Sequence, residues 1–194
     1  MYDGVNNIIQ KTDYQDEITD YQYDSTNRLV SMRNSAYLQV SYHYDPAGRL
    51  LNRIMSNGAR TNYTYDNDNR LLTLQNVSAN GTEVQNQSYA YDNIGNITRM
   101  TDISGDTDYT YDPTYRLLNA DAPGTTNDHS YTYDLVGNRK THTNNTATQA
   151  YLYNAGNRLT EVRDTNETGP LVYSYEYDDN GSRTLRTQSI GGHR

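Results

Sequence analysis

The chain has 194 residues, a formal net charge of −8 and no cysteine, which excludes disulfides, cysteine-ligated zinc and cysteine nucleophiles. Its acidic balance, with a sequence pI near 4.8, argues against nucleic acid, which selects a basic face, and no run approaches the length of an apolar membrane span. Tyrosine numbers 21 and phenylalanine is absent, so any core is expected to be thin and aromatic, with the tyrosine hydroxyls at a wet edge.

One pattern recurs from end to end. Met1-Tyr2-Asp3 looks like a truncated copy. Full copies follow as Tyr21-Gln22-Tyr23-Asp24, Tyr42-His43-Tyr44-Asp45, Tyr63-Thr64-Tyr65-Asp66 and Tyr89-Ala90-Tyr91-Asp92. Then come Tyr109-Thr110-Tyr111-Asp112, Tyr131-Thr132-Tyr133-Asp134, Tyr151-Leu152-Tyr153-Asn154 and Tyr175-Glu176-Tyr177-Asp178. The second tyrosine falls near 2, 23, 44, 65, 91, 111, 133, 153 and 177, so residues 1–194 read as a single array of about nine repeats.

Each repeat predicts two antiparallel strands. Tyrosines at i and i+2 share one face of a strand, because side chains alternate. The Asp that follows starts a turn, its carboxylate accepting a backbone N–H. Asp45-Pro46-Ala47-Gly48 is the clearest type I turn. The left-handed position after it is assigned to Gly48, Gly95, Gly137, Gly181, Asn27, Asn69, Asn157 and, in the first copy, Asn7, since Gly and Asn enter that region cheaply. Tyr115 occupies it in the 111 repeat, so either that turn changes type or packing holds the ring there.

The returning strand opens with Arg28-Leu29, Arg49-Leu50, Arg70-Leu71, Asn96-Ile97, Arg116-Leu117 or Arg158-Leu159, and Ile8 fills the place in the first copy. Asn138-Arg139 and Ser182-Arg183 break the pattern. A second turn follows, strongest at Asn57-Gly58 and Asn80-Gly81, weakest at Asn34-Ser35. The fold class is therefore all-β: a continuous antiparallel meander of hairpins, with the tyrosine pairs and returning leucines on one face.

No singular site stands out. His43, His129, His142 and His193 show no pairing at ligand spacing in the sequence. Asp66-Asn67-Asp68-Asn69 and Asp178-Asp179-Asn180-Gly181 lack the distal Glu of a calcium loop, and turn chemistry accounts for them. The acidic residues fall in repeat phase, as structure alone would place them. No catalytic, cofactor-binding or metal-binding residue is assigned, and the chain is read as no enzyme.

Tyr-x-Tyr-Asp-x-x-Gly/Asn-Arg/Asn-Leu at a period near 21 resembles the YD repeat of the Rhs family. That family includes bacterial rearrangement-hotspot polymorphic toxins, toxin-complex C subunits, wall-associated proteins and teneurins. The resemblance implies a curved or spiral shell wall, of which this chain looks like a fragment, in a protein that is secreted or displayed on a bacterial surface. It implies a structural role, enclosing or displaying a toxin or effector domain, and no cofactor. The partners it implies are neighbouring repeats of a longer parent chain and an enclosed toxin domain. Asp45-Pro46-Ala47-Gly48 sits in repeat phase, so self-cleavage is not carried over. The other reading is an adhesion or glycan-binding module that stacks sugars on the repeated tyrosines. Sparse protection of the terminal strands, near Tyr2–Ile9 and Thr184–Ile190, leads to an expectation of edge-to-edge self-association.

Overall fold

The structure, a computed structural model, describes residues 1–34, 38–124, 128–145 and 147–189; Ser35, Ile190 and His193 lie outside these. The described residues form seventeen strands and no helix, so no helix is long and apolar enough to cross a membrane.

The chain divides into two compact units. The first comprises Met1–Tyr91 with Met100–Ile103. It holds β1 (Gln10–Thr12), β2 (Ile18–Tyr23), β3 (Leu29–Asn34), β4 (Gln39–Tyr44), β5 (Leu50–Met55), β6 (Arg60–Tyr65), β7 (Leu71–Val77) and β8 (Glu83–Tyr91). Each pairs antiparallel with the next. The strand β9 (Ile97–Asp102) is divided between the units. The second unit comprises Asp92–Arg99 with Ser104–Arg194. It holds β10 (Gly105–Tyr111), β11 (Leu117–Asp121), β12 (His129–Tyr133), β13 (Arg139–Asn144), β14 (Ala147–Tyr153), β15 (Leu159–Asp164), β16 (Leu171–Tyr177) and β17 (Arg183–Gln188). These too pair antiparallel in chain order. The architecture is thus the all-β hairpin meander that the period-two tyrosines and paired turn signals predict.

The repeat turns share one backbone form. At Asp45 the residue's own N–H donates to the Arg49 carbonyl at 2.9 Å, and the Gly48 N–H donates to the Asp45 carbonyl at 3.0 Å. A register shift follows just inside the turn, between His43 and Tyr44. This is a type I turn closed by a left-handed residue in a bulge. The left-handed residue has φ of 62° at Asn27, 87° at Gly48, 64° at Asn69, 98° at Gly95, 97° at Gly137, 57° at Asn157 and 84° at Gly181. In the first copy it is Asn6 (φ 69°), not Asn7. Asn6 stands four residues after Tyr2, and Asn7 takes the position that Arg fills elsewhere. Tyr115 has φ 65° and keeps both turn bonds, so that turn does not change type.

Each tyrosine pair lies on one face: both rings are half-buried, and the residue between them is exposed in every copy except at Leu152. On the opposite face the intervening residues form cross-strand hydrogen bonds. Thr64 bonds Thr73 and Thr132 bonds Thr141, each at 2.6 Å, and His43 Nδ1 meets Asn52 Oδ1 at 2.8 Å. Among the described residues the buried apolar side chains are small and aliphatic, Val40, Val77, Ala150 and Val162. They lie on both faces of the sheet: Val162 pairs with Tyr151 on the tyrosine face, whereas Ala150 pairs with Thr141 and Arg163 on the other. Thr61 is buried because its hydroxyl is enclosed by polar partners, accepting from Arg53 Nε at 3.2 Å and donating to Asn76 Oδ1 at 2.7 Å.

The N-terminal segment is paired on one side. Tyr2 and Ile8 form an antiparallel bridge. The Met1 carbonyl accepts the Ile9 N–H at 3.1 Å, and the Ile9 carbonyl accepts the Tyr21 N–H at 2.9 Å. Residues 2–9 do not run as one strand: the segment folds back on itself, with the Met1 ammonium donating to the Gln10 carbonyl at 2.7 Å.

Candidate functional site

The repeat motif assembles a contact that joins each hairpin to the next. It is built upward from the aspartate. In the Asp45 turn, Oδ1 accepts the Arg49 N–H at 2.9 Å and Oδ2 accepts Arg49 Nε at 2.6 Å. One carboxylate thus holds the turn backbone with one oxygen and orients a guanidinium with the other. Asp24 with Arg28, Asp66 with Arg70 and Asp112 with Arg116 repeat the geometry, with Nε to Oδ2 at 2.7, 2.7 and 2.6 Å.

Asn stands in for Arg at three turns. The side chains of Asn7, Asn96 and Asn138 donate Nδ2–H to Oδ2 of Asp3, Asp92 and Asp134 at 2.9, 2.8 and 2.9 Å. At Asn154 the substitution is on the acceptor side. Its Oδ1 accepts the Gly156 and Arg158 N–H groups at 3.0 and 3.1 Å, and an amide has no second oxygen for the guanidinium. Asp178 Oδ1 accepts the Ser182 N–H at 2.8 Å.

These donors hold the carboxyls of Asp24, Asp45, Asp66, Asp92, Asp112 and Asp134 below the usual range. For Asp24 the Arg28 backbone N–H is the largest cause and the Thr26 hydroxyl the next. For Asp45 the Arg49 backbone N–H again leads. At Asp66, Asp92, Asp112 and Asp134 burial is the largest influence and pushes upward, yet the combined hydrogen bonds outweigh it and the carboxyls are lowered.

The oriented guanidinium then reaches the following repeat. Arg28 lies over the ring of Tyr44, Arg49 over Tyr65, Arg70 over Tyr91, Arg116 over Tyr133 and Arg158 over Tyr177, 4.7–5.8 Å from the ring centroids. Arg49 also donates to the Asp66 carbonyl at 2.8 Å. The tyrosine completes the contact in the reverse direction. The hydroxyls of Tyr44, Tyr65 and Tyr91 donate to the carbonyls of Leu29, Leu50 and Leu71 at 2.8, 3.0 and 2.7 Å. Tyr23 does the same to Ile8, Tyr111 to Ile97, Tyr133 to Leu117, Tyr153 to Arg139 and Tyr177 to Leu159.

The hydroxyls of the second tyrosines are therefore each bonded to a main-chain carbonyl. They satisfy carbonyls that lie just past the end of the ladder between repeats, as at Leu50, where the paired residues of β5 begin at Asn52. Burial pushes the phenols of Tyr44, Tyr65, Tyr91 and Tyr111 up, against the pull of Arg28 on Tyr44 and of Arg49 on Tyr65.

The first tyrosines of the pairs, Tyr21, Tyr42, Tyr63, Tyr89, Tyr109, Tyr131, Tyr151 and Tyr175, sit one step along the same face. Where Arg139 and Arg183 replace the returning leucine, each lies over one of them: Arg139 over Tyr151 at 4.1 Å and Arg183 over Tyr175 at 5.7 Å. Chemically the arrangement is a set of charge-assisted, ring-stacked joints, with every carboxylate of the ladder committed to a donor within its own turn.

The structure also brings together two residues that the sequence left apart. His129 Nδ1 and His142 Nε2 are 2.9 Å apart across β12 and β13. Spacing along the chain gave no signal, since the residues are thirteen apart and only the strand register makes them diagonal neighbours.

Residues 2–37 match the family model described as RHS Repeat. No curated protein sequence matches the chain. Among solved structures, the chain is similar to the crystal structure of TcdB2-TccC3-TEV, with a TM-score of 0.73 and 18% identity, covering 100% of this chain and 12% of that one. It is also similar to the Photorhabdus luminescens Tc holotoxin pore carrying TccC3-D651A, with a TM-score of 0.68 and 18% identity, covering 98% of this chain and 13% of that one. This chain thus spans about an eighth of the length of those chains. The tyrosine–aspartate period, the RHS repeat matched at residues 2–37 and the helix-free hairpin fold shared with those structures agree with one another.

Proposed function

We propose that this chain is a non-catalytic stretch of an Rhs-type shell wall, one array of about nine repeats that encloses or displays a toxin or effector domain. The observation that carries the reading is the joint itself. Side chains that could do acid–base work, the turn aspartates, are each held by donors from their own turn, in repeat phase. That arrangement suits a wall, where every unit must grip the next, better than a catalyst, which needs one site unlike the others. The partners on this reading are neighbouring repeats and an enclosed cargo, in a secreted or surface-displayed bacterial protein.

The test is protease protection. In the longer parent chain, a segment beyond the repeats is expected to resist protease while the wall is intact. It should become cleavable when Arg49→Met and Arg116→Met open two joints. Cargo equally sensitive in both proteins would contradict enclosure. The glycan-binding reading is settled by a glycan array, where tyrosine-dependent binding to a defined sugar would displace the wall reading. Edge-to-edge self-association is read from light scattering against concentration.

A further inference from the structure

The His129–His142 pair is unlike anything else in the array. Opposite the first tyrosine the register places Met32, Arg53, Leu74 or Ala120 in other repeats, and a histidine only opposite Tyr131. The facing nitrogens are 2.9 Å apart, the ring centroids 5.1 Å apart and the ring planes 19° from parallel, so the rings meet end to end in an N–H···N hydrogen bond. Both rings are half-buried, and His142 lies against Tyr131 with centroids 4.9 Å apart.

This bond depends on how many protons the pair holds. In the neutral pair one ring donates and the other accepts. One added proton leaves the bond in place and makes it charge-assisted. A second fills the accepting lone pair. Both facing nitrogens then carry hydrogen, the bond is lost, and two like charges confront each other.

The pair sits where the second unit is most thinly stitched. β11 and β12 pair only through Asn119 with Ser130 and Ala120 with His129, the shortest ladder from β10 to β17. Just past it, Asp128 Oδ1 accepts the Ala122 N–H at 3.0 Å. His129 thus joins β11 through its backbone and β13 through its ring.

The charged and titratable groups about the pair come from each flanking strand. Tyr131 lies on β12, Arg139 on β13 and Tyr151 on β14, while Gln149, paired with His142, is neutral. At the β11 end, Asp121 and Asp128 line an open hollow with His129. Burial, with His129 and Arg139 adding to it, lowers the His142 ring from the ordinary 6.5. The folded pair therefore resists its last proton, and stability is lost as pH falls below 6.5.

We propose that the His129–His142 bond is an acid-sensitive latch: double protonation breaks it and frees the start of β12 from β11. On the wall reading this seam is where acid parts the array first. The latch itself is tested on this chain alone, so its failure leaves enclosure to be decided by protease protection.

Coupling between the imidazole nitrogens across the bond is followed by nuclear magnetic resonance from about pH 7 to about pH 4.5, the range in which histidines change charge. Amide hydrogen exchange is measured over the same range and corrected for its intrinsic rate. The coupling is expected at neutral pH and should vanish in the same step in which protection in β11 and at the start of β12 falls. The fall should reach at most about tenfold per pH unit, the limit for one proton taken up on opening. Protection between β14 and β15 should hold. His142→Gln and His129→Gln should each remove the step, with the far-ultraviolet circular dichroism unchanged. No coupling at neutral pH, or coupling that survives in acid, would overturn the latch. So would protection lost equally across the unit, or a step that both substitutions leave unaltered.

Discussion

The guanidinium of Arg49 lies 5.1 Å from the centroid of the Tyr65 ring, in the next hairpin along. Arg49 is held there by Asp45 Oδ2, and the Tyr65 hydroxyl returns a bond to the Leu50 carbonyl. The repeat signature thus reads as one joint, with residues from both sides of each hairpin boundary. Its parts can be removed singly.

Removing the hydroxyl isolates the returning bond. Tyr65→Phe keeps the ring under Arg49 and leaves the Leu50 carbonyl without its donor. A loss of about 1 kcal/mol is expected, or roughly 2–4 °C in melting temperature for a chain this size. Calorimetry measures it, and Tyr14→Phe, at a fully exposed ring, serves as the control with no change.

Tyr115 is left-handed with a ring 60% exposed, so little packing offsets the backbone strain. Tyr115→Gly is expected to raise stability by up to about 1 kcal/mol, the left-handed penalty reduced by the greater chain entropy of Gly. A lower melting temperature would show that the ring holds the turn.

Acid should release the joints together. Asp24, Asp45, Asp66, Asp92, Asp112 and Asp134 have carboxyls lowered from the ordinary 3.8. Their folded state binds fewer protons than the unfolded state. The stability they contribute is complete above about pH 4 and is lost as pH falls further, through the folded values. Asn154→Asp supplies the oxygen that Arg158 lacks. It should raise the melting temperature at pH 7, by the equivalent of about 0.5 kcal/mol, and the gain should vanish at pH 2.

A second, milder acid step belongs to the histidine pair. The His142 ring is lowered from the ordinary 6.5. Stability from keeping it neutral is present above pH 6.5 and declines as pH falls below that value. His142→Gln should abolish the decline between pH 6.5 and 5 and leave the deeper acid transition in place. Melting temperature against pH distinguishes the two steps.

Much of the fold was legible because it rests on local rules. The two tyrosines share a face by alternation, and Asp with Gly48 or Asn27 writes the turn. What the sequence concealed lies between repeats. Arg49 follows Asp45 in the chain, yet its other partner, Tyr65, is set by the pairing of β5 and β6, which periodicity does not reveal. The hydroxyl of Tyr65 was read as solvent-facing because its acceptor is a main-chain carbonyl just past the end of the β5–β6 ladder, and no residue type marks that. His129 and His142 meet through strand register alone, which is why spacing rules for ligands passed over them.

The most direct test of the joint is a double-mutant cycle between Arg49 and Tyr65, with Arg49→Met, Tyr65→Leu and the pair compared by equilibrium denaturation. A coupling of about 0.5–2 kcal/mol is expected, since each substitution removes the same ring–guanidinium contact. Strictly additive losses, with a coupling of zero, would contradict the claim that Tyr-x-Tyr-Asp and Arg act across the hairpin boundary as one structural joint.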